Sequence, residues 1–161
     1  MKTGPHPDWR SIARHAVLVS GLAFSLHYPW EYAQCGLFFV HRASPADPWS
    51  MLLVTGGDLI LTWIAHLVLT ALTGRWLWLH EPWTLRVWLA LSGAALALSI
   101  PIELYALATN RWAYTTINPR LPLIGVSVIP VLQLLLLFPL TFLLARSGQR
   151  AWEKTSRRDP A

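Results

Sequence analysis

An all-α integral membrane bundle of four transmembrane helices, with the N- and C-termini cytoplasmic, is the fold class this sequence predicts. Three observations predict it. The 161-residue chain is 54% hydrophobic and 13% charged, more apolar and less charged than soluble domains. Four apolar stretches reach the roughly 20 residues that crossing a bilayer requires. The Lys and Arg residues avoid those stretches and gather at their ends, as membrane topology demands.

The first predicted span, 16–40, follows Lys2, Arg10 and Arg14. That charged start resembles a signal peptide, but the apolar run continues to Val40 without a small-residue cleavage site, so a retained helix is expected. Cys35 is the single cysteine; no internal disulfide can form, and a small buried apolar residue is expected there. The second span is 51–72, the third 87–109 and the fourth 123–145, with a basic cytoplasmic tail over 146–161. Short connections rich in Pro and Trp separate them. The ten tryptophans suit an interfacial aromatic belt. Small residues such as Gly21, Gly56, Gly57 and Gly93 are expected to let helices approach closely.

Orientation follows from Lys and Arg placement. Lys2, Arg10, Arg14, Arg75, Arg86, Arg146, Arg150, Lys154, Arg157 and Arg158 flank one side; Arg42, Arg111 and Arg120 flank the other. The net charge of +5 is thereby accounted for by topology, and no nucleic-acid partner is expected. No repeat is visible, and the whole of 1–161 reads as one membrane domain.

Ionisable side chains at membrane depth are expensive and normally face the bundle interior. Five occur here: His27, Glu31, Asp58, His66 and Glu103, with Gln133 as a neutral companion. Counted from the outer end of each span at about 1.5 Å per residue, the three carboxyls fall roughly 9 to 14 Å deep. Gln133 lies just beneath, and the same count puts His27 and His66 together in a deeper tier. Helical spacing groups His27, Glu31 and Gln34 on one side, Thr55, Asp58, Thr62 and His66 on another, and Ser92, Ser99 and Glu103 on a third. Pro29, Pro101 and Pro130 sit near these groups, and Pro130 is expected to free a backbone carbonyl beside Gln133. Like charges sharing a low-dielectric site repel, so a layer of three carboxyls is expected to share protons or bind a cation.

The candidate catalytic residues are therefore His27, Glu31, Asp58 and Glu103. Trp30, Gln34, Thr62, Arg111, Trp112, Tyr114 and Gln133 are the candidate ligand-binding residues. The third connection, holding Arg111, Trp112, Tyr114 and Arg120, is expected to form a lid above the carboxyl layer, its arginines neutralising Glu103 or holding an anionic headgroup. No cofactor is predicted outright. A metal on His27, Glu31, Asp58 and Glu103, or a haem b between His27 and His66, stands as an alternative. His15, His41 and His80 fall at helix ends and are expected at the surface. No phosphate loop, dinucleotide fingerprint, zinc-finger spacing or nucleophile elbow occurs.

The pattern His27-x3-Glu31-x2-Gln34, Gly57-Asp58, Glu103, Asn110-Arg111-Trp112-x-Tyr114, Pro122, Gly125, Pro130 and Gln133 resembles a family of small bacterial four-helix membrane proteins with no assigned activity. That resemblance implies a multi-pass protein of the bacterial inner membrane. The constellation and topology also resemble the emopamil-binding, or EXPERA, proteins, which include sterol isomerases. That second resemblance implies an intramembrane His and Glu moving a proton on an isoprenoid-derived ligand, with His27, Glu31 and Glu103 in those places. The longer acidic and aromatic loop motif of that family is missing, and Asp58 lies inside a helix instead. The expected function is thus an enzyme or binding protein for an apolar, lipid or isoprenoid-like ligand, isomerase chemistry included. The alternatives are an accessory subunit carrying protons, metal or haem, and a scaffold. Expected partners are the bilayer, an apolar small molecule, and other membrane proteins or further copies of the chain.

Overall fold

A computed structural model describes residues 9–41 and 47–156, so Lys2, Arg42, Arg157 and Arg158 lie outside the described residues. In chain order the elements are α1 (Trp9–Phe38), β1 (Phe39–His41), α2 (Pro48–Thr73), a 3-10 turn (Trp78–His80), α3 (Leu85–Ala108), β2 (Trp112–Tyr114) and α4 (Val128–Ser156). Among the described residues three helical stretches are long and apolar enough to cross a membrane: Pro48–Thr73, Leu85–Ala108 and Val128–Trp152.

Local chemistry sets the ends of α2. Asp47 precedes it, accepting from the backbone N–H of Trp49 at 2.9 Å and Ser50 at 3.1 Å, and Pro48 occupies the first turn, where no N–H is needed. The Asp47 carboxyl is held below the usual carboxylate range, chiefly by the Ser50 hydroxyl and N–H. Gly74 ends the helix at φ +69°, its N–H bonded to the Thr70 carbonyl, a left-handed position that suits glycine.

α1 packs along α2 and α4, and α3 packs along α4. Their shared core holds Val19, Ala65, Leu69, Leu91, Ala95, Leu134, Phe138 and Phe142. Outward-facing positions are also apolar: Leu53, Ile60, Leu89 and Leu136 are all exposed. A surface of that kind suits lipid rather than water.

Several expected boundaries move. α1 begins at Trp9 rather than 16, about two turns earlier, and so places His15 inside the bundle, fully buried. α4 begins at Val128 rather than 123. Residues 121–127 instead turn back at Gly125, whose φ of +69° favours glycine, with Leu121 N–H bonded to the Val126 carbonyl and Arg120 bridging Ser127. Pro130 therefore stands in the first turn of α4, and the carbonyl it was expected to free, that of Val126, is taken by Leu121. The basic tail is helical through Ser156. Trp78 is buried, unlike the exposed Trp9, Trp49 and Trp152, so the aromatic belt is not uniform. A Cβ added at Gly21, Gly56, Gly57 or Gly93 would meet nothing within 4 Å. These glycines do not mark close helix contacts; Gly148, against Leu18, does.

Candidate functional site

Five polar side chains from three helices meet inside the bundle, and one tryptophan sets their direction. Trp30 donates its indole N–H to Gln34 Oε1 at 3.1 Å. An indole can only donate, so the Gln34 oxygen faces Trp30 and its NH2 faces inward. That NH2 donates to Glu31 Oε1 at 2.7 Å and to Gln133 Oε1 at 3.0 Å. The polarity passes on to Gln133. Its own NH2 points at Glu31 Oε1 at 2.7 Å, His27 Nδ1 at 3.0 Å and Asp58 Oδ2 at 3.2 Å. Asp58 also lies 3.5 Å from His27 Nδ1 and hydrogen-bonds with Glu31. Cys35, expected as a plain apolar residue, sits with its Sγ 3.9 Å from Glu31 Oε2.

All five residues are buried; His27 is wholly so, while Asp58 retains 8% exposure. The spacing that aligned His27, Glu31 and Gln34 along α1 is thus matched by Asp58 from α2 and Gln133 from α4. Thr62 is on the expected side of α2, yet its hydroxyl donates to the Asp58 backbone carbonyl at 2.8 Å. It supports the helix rather than the network.

Glu103 is buried but keeps other company. Its carboxyl takes the Tyr114 hydroxyl, which itself accepts from the Ser127 N–H at 3.0 Å; Trp112 and the Ser127 backbone also act on it. Among the described residues no interaction joins it to Glu31 or Asp58. Burial, helped by Glu103, pushes the Tyr114 hydroxyl well above the usual tyrosine range, so it stays a donor.

The third connection does cover this end. β1 and β2 pair antiparallel, Phe39 opposite Tyr114 and His41 opposite Trp112. Asn118, which the sequence reading passed over, donates to the Phe38 carbonyl at 2.8 Å, and Thr115 donates to that of Leu37 at 2.9 Å. Phe39 meets the Trp112 and Tyr114 rings edge-on. The arginines do not reach Glu103: Arg111 lies over Tyr105 and Arg120 over Tyr114. Guanidinium groups stacked on rings keep their edges in solvent, whereas Glu103 is sealed below.

His27 and His66 are not brought together. His66 packs against His15, with ring centroids 4.8 Å apart, and His15 precedes His27 by twelve residues, roughly 18 Å along a helix. Counting from span ends treated α1 and α2 as level and upright. The contacts of Trp63 with Ser20 and of His66 with His15 show that they are offset. Around this pair stand Trp63, Trp76, Trp78 and Phe142, a cage that sequence reading missed although Trp63 and His66 share a helix side. His80 is half-buried, and the His41 side chain lies outside the described residues.

Among the described residues no group of three or more His, Cys, Asp or Glu is placed to hold a metal ion. The Gln133 NH2 occupies the point where imidazole and carboxyls converge, presenting hydrogens where a cation would require lone pairs.

Fold and site together define a mostly helical bundle, compatible with a multi-pass membrane protein, that encloses a carboxyl, amide and imidazole network. No family model, curated protein or solved structure matches the chain.

Proposed function

We propose that the chain is a four-span protein of the bacterial inner membrane, with cytoplasmic termini, that binds or isomerises an apolar, lipid or isoprenoid-like molecule by proton transfer at His27, Glu31 and Asp58. The single observation that carries the reading is the meeting of two buried carboxyls at one amide: the Gln133 NH2 lies 2.7 Å from Glu31 Oε1 and 3.2 Å from Asp58 Oδ2, with His27 Nδ1 3.0 Å away. Two carboxylates so close in a low-dielectric site repel each other. The network closes with one further proton, held between the Glu31 and Asp58 carboxyls beside His27, and a proton shared in this way is one that can be exchanged with a ligand.

Access supports an apolar ligand. Asp58 is the most exposed member of the network, and the preceding Gly57 is exposed with open space where a side chain would stand. A molecule dissolved in lipid would meet Asp58 first, and His27 Nε2, buried without a partner, lies deeper. Glu103 belongs to the cap in this reading and positions it through Tyr114.

Infrared spectroscopy of the purified protein tests the proton. A carboxylic-acid C=O band should be present, and Glu31→Gln or Asp58→Asn should remove it; a spectrum showing only carboxylate would sink the proposal. Lipid extraction tests the ligand: a hydrophobic molecule should copurify with the native chain and be depleted in Asp58→Asn.

A further inference from the structure

The end of the bundle where α1 begins and α4 finishes carries a second cluster with the opposite chemistry. His15 and His66 are completely buried there. Trp78 donates its indole N–H to His66 Nδ1 at 3.2 Å. Because an indole only donates, Nδ1 must accept, and the hydrogen of the neutral ring sits on Nε2. That N–H is buried with no acceptor, as are His15 Nε2 and the N–H groups of Trp76 Nε1 and Arg146 Nε.

Arg146 belongs to the same face. It lies four residues after Phe142 and three before Gln149, and those two meet His66, with rings 6.0 Å apart, and His15 Nδ1, at 2.7 Å. Residues so spaced share a helix side. The chargeable groups acting on the two imidazoles are each other and His80, without a carboxylate among them. Neighbouring cations are engaged elsewhere: Arg75 pairs with Glu81, and Arg14 lies over Trp152. Donors from the imidazoles and Trp76 and one cation thus stand on this side of the bundle, and among the described residues the one unpaired buried acceptor beside them is Gln149 Oε1, too few for the N–H groups present.

We propose that His15, His66, Trp76 and Arg146 form an anion site that takes a phosphoryl or carboxylate oxygen. An acceptor-only group satisfies several orphaned N–H groups at once, and Arg146 on the same helix side supplies the opposite charge. The same tautomer argues against a metal, since His66 Nε2 carries a hydrogen where a metal needs a lone pair. The anion can come from an acidic lipid headgroup or from free phosphate.

Native mass spectrometry of the full chain in detergent separates the sources, using phosphatidylglycerol, phosphatidylcholine and inorganic phosphate as probes. Saturable binding of one phosphatidylglycerol, with phosphatidylcholine about tenfold weaker, assigns a headgroup site; binding of phosphate as well assigns the anion itself. Trp76→Phe keeps an aromatic ring and deletes the N–H, and should weaken binding several-fold; Arg146→Gln and His66→Phe should each weaken it tenfold or more. Absence of saturable binding to any probe overturns the proposal. So does a pattern in which Arg146→Gln weakens binding while Trp76→Phe binds as the native chain does.

Discussion

The two ends of this bundle hold buried histidines in opposite hydrogen-bonding economies. At one end His27 sits with Glu31, Asp58, Gln34 and Gln133, where two carboxyls meet at one amide NH2. At the other, His15 and His66 sit among indoles, where N–H groups outnumber acceptors. Residue type does not distinguish them. The neighbours do: an amide between carboxyls makes a place that wants a proton, and an indole on an imidazole makes a place that wants a lone pair.

That contrast breaks most sharply at Gln133. Replacing it with Leu strips donors from Glu31, Asp58 and His27 together, and buried acceptors left unpaired cost about 1 to 3 kcal/mol each. A loss of roughly 3 kcal/mol or more in unfolding free energy is expected by denaturant titration; a loss under 1 kcal/mol would mean that the network contributes little to stability. Tyr114→Phe comes next. It removes one hydroxyl that donates to Glu103 and accepts from Ser127, and about 2 kcal/mol of destabilisation is expected, with faster amide exchange at Ser127 and along β1 and β2.

Trp78→Phe sharpens the comparison from the other end. A smaller phenyl replaces the buried indole, so the lost hydrogen bond and the space left behind should together cost about 2 kcal/mol, and NMR should show the His66 hydrogen no longer confined to Nε2. The smallest effect lies at Asp47, at the start of α2. Its pKa is depressed in the folded state, so its contribution is present above the unfolded value and fades as pH falls through the folded one. Amide exchange at Trp49 and Ser50 should accelerate over that acidic range and be fast at every pH in Asp47→Ala.

Much of the carboxyl network was legible because it follows helical periodicity. His27, Glu31 and Gln34 occupy one side of α1, and depth pairs Glu31 with Asp58 and sets Gln133 just beneath, although it also puts His27 in a deeper tier with His66. Depth alone also grouped Glu103 with them, wrongly as to contact, because a residue count says nothing of a connection that folds back and seats Tyr114 on that carboxyl. His15 was read as a surface residue for a similar reason: apolar content marks where a helix enters lipid, whereas α1 starts two turns earlier, at Trp9. The glycines near Asp58 suggested close packing, but a missing side chain serves equally well to leave a space. The cage was the least legible, since it is assembled from α1, α2, α4 and a 3-10 turn whose path no periodicity describes.

The short ladder between β1 and β2 has a consequence for assembly. Phe39 and Tyr114 are partners across a segment containing all of α2 and α3, so their hydrogen bonds form only after those two helices have been threaded and laid side by side. Closing so long a loop is entropically costly and rewarded last. Protection of the strand amides would therefore act as a time stamp, recording when the chain finishes assembling rather than when any one helix inserts.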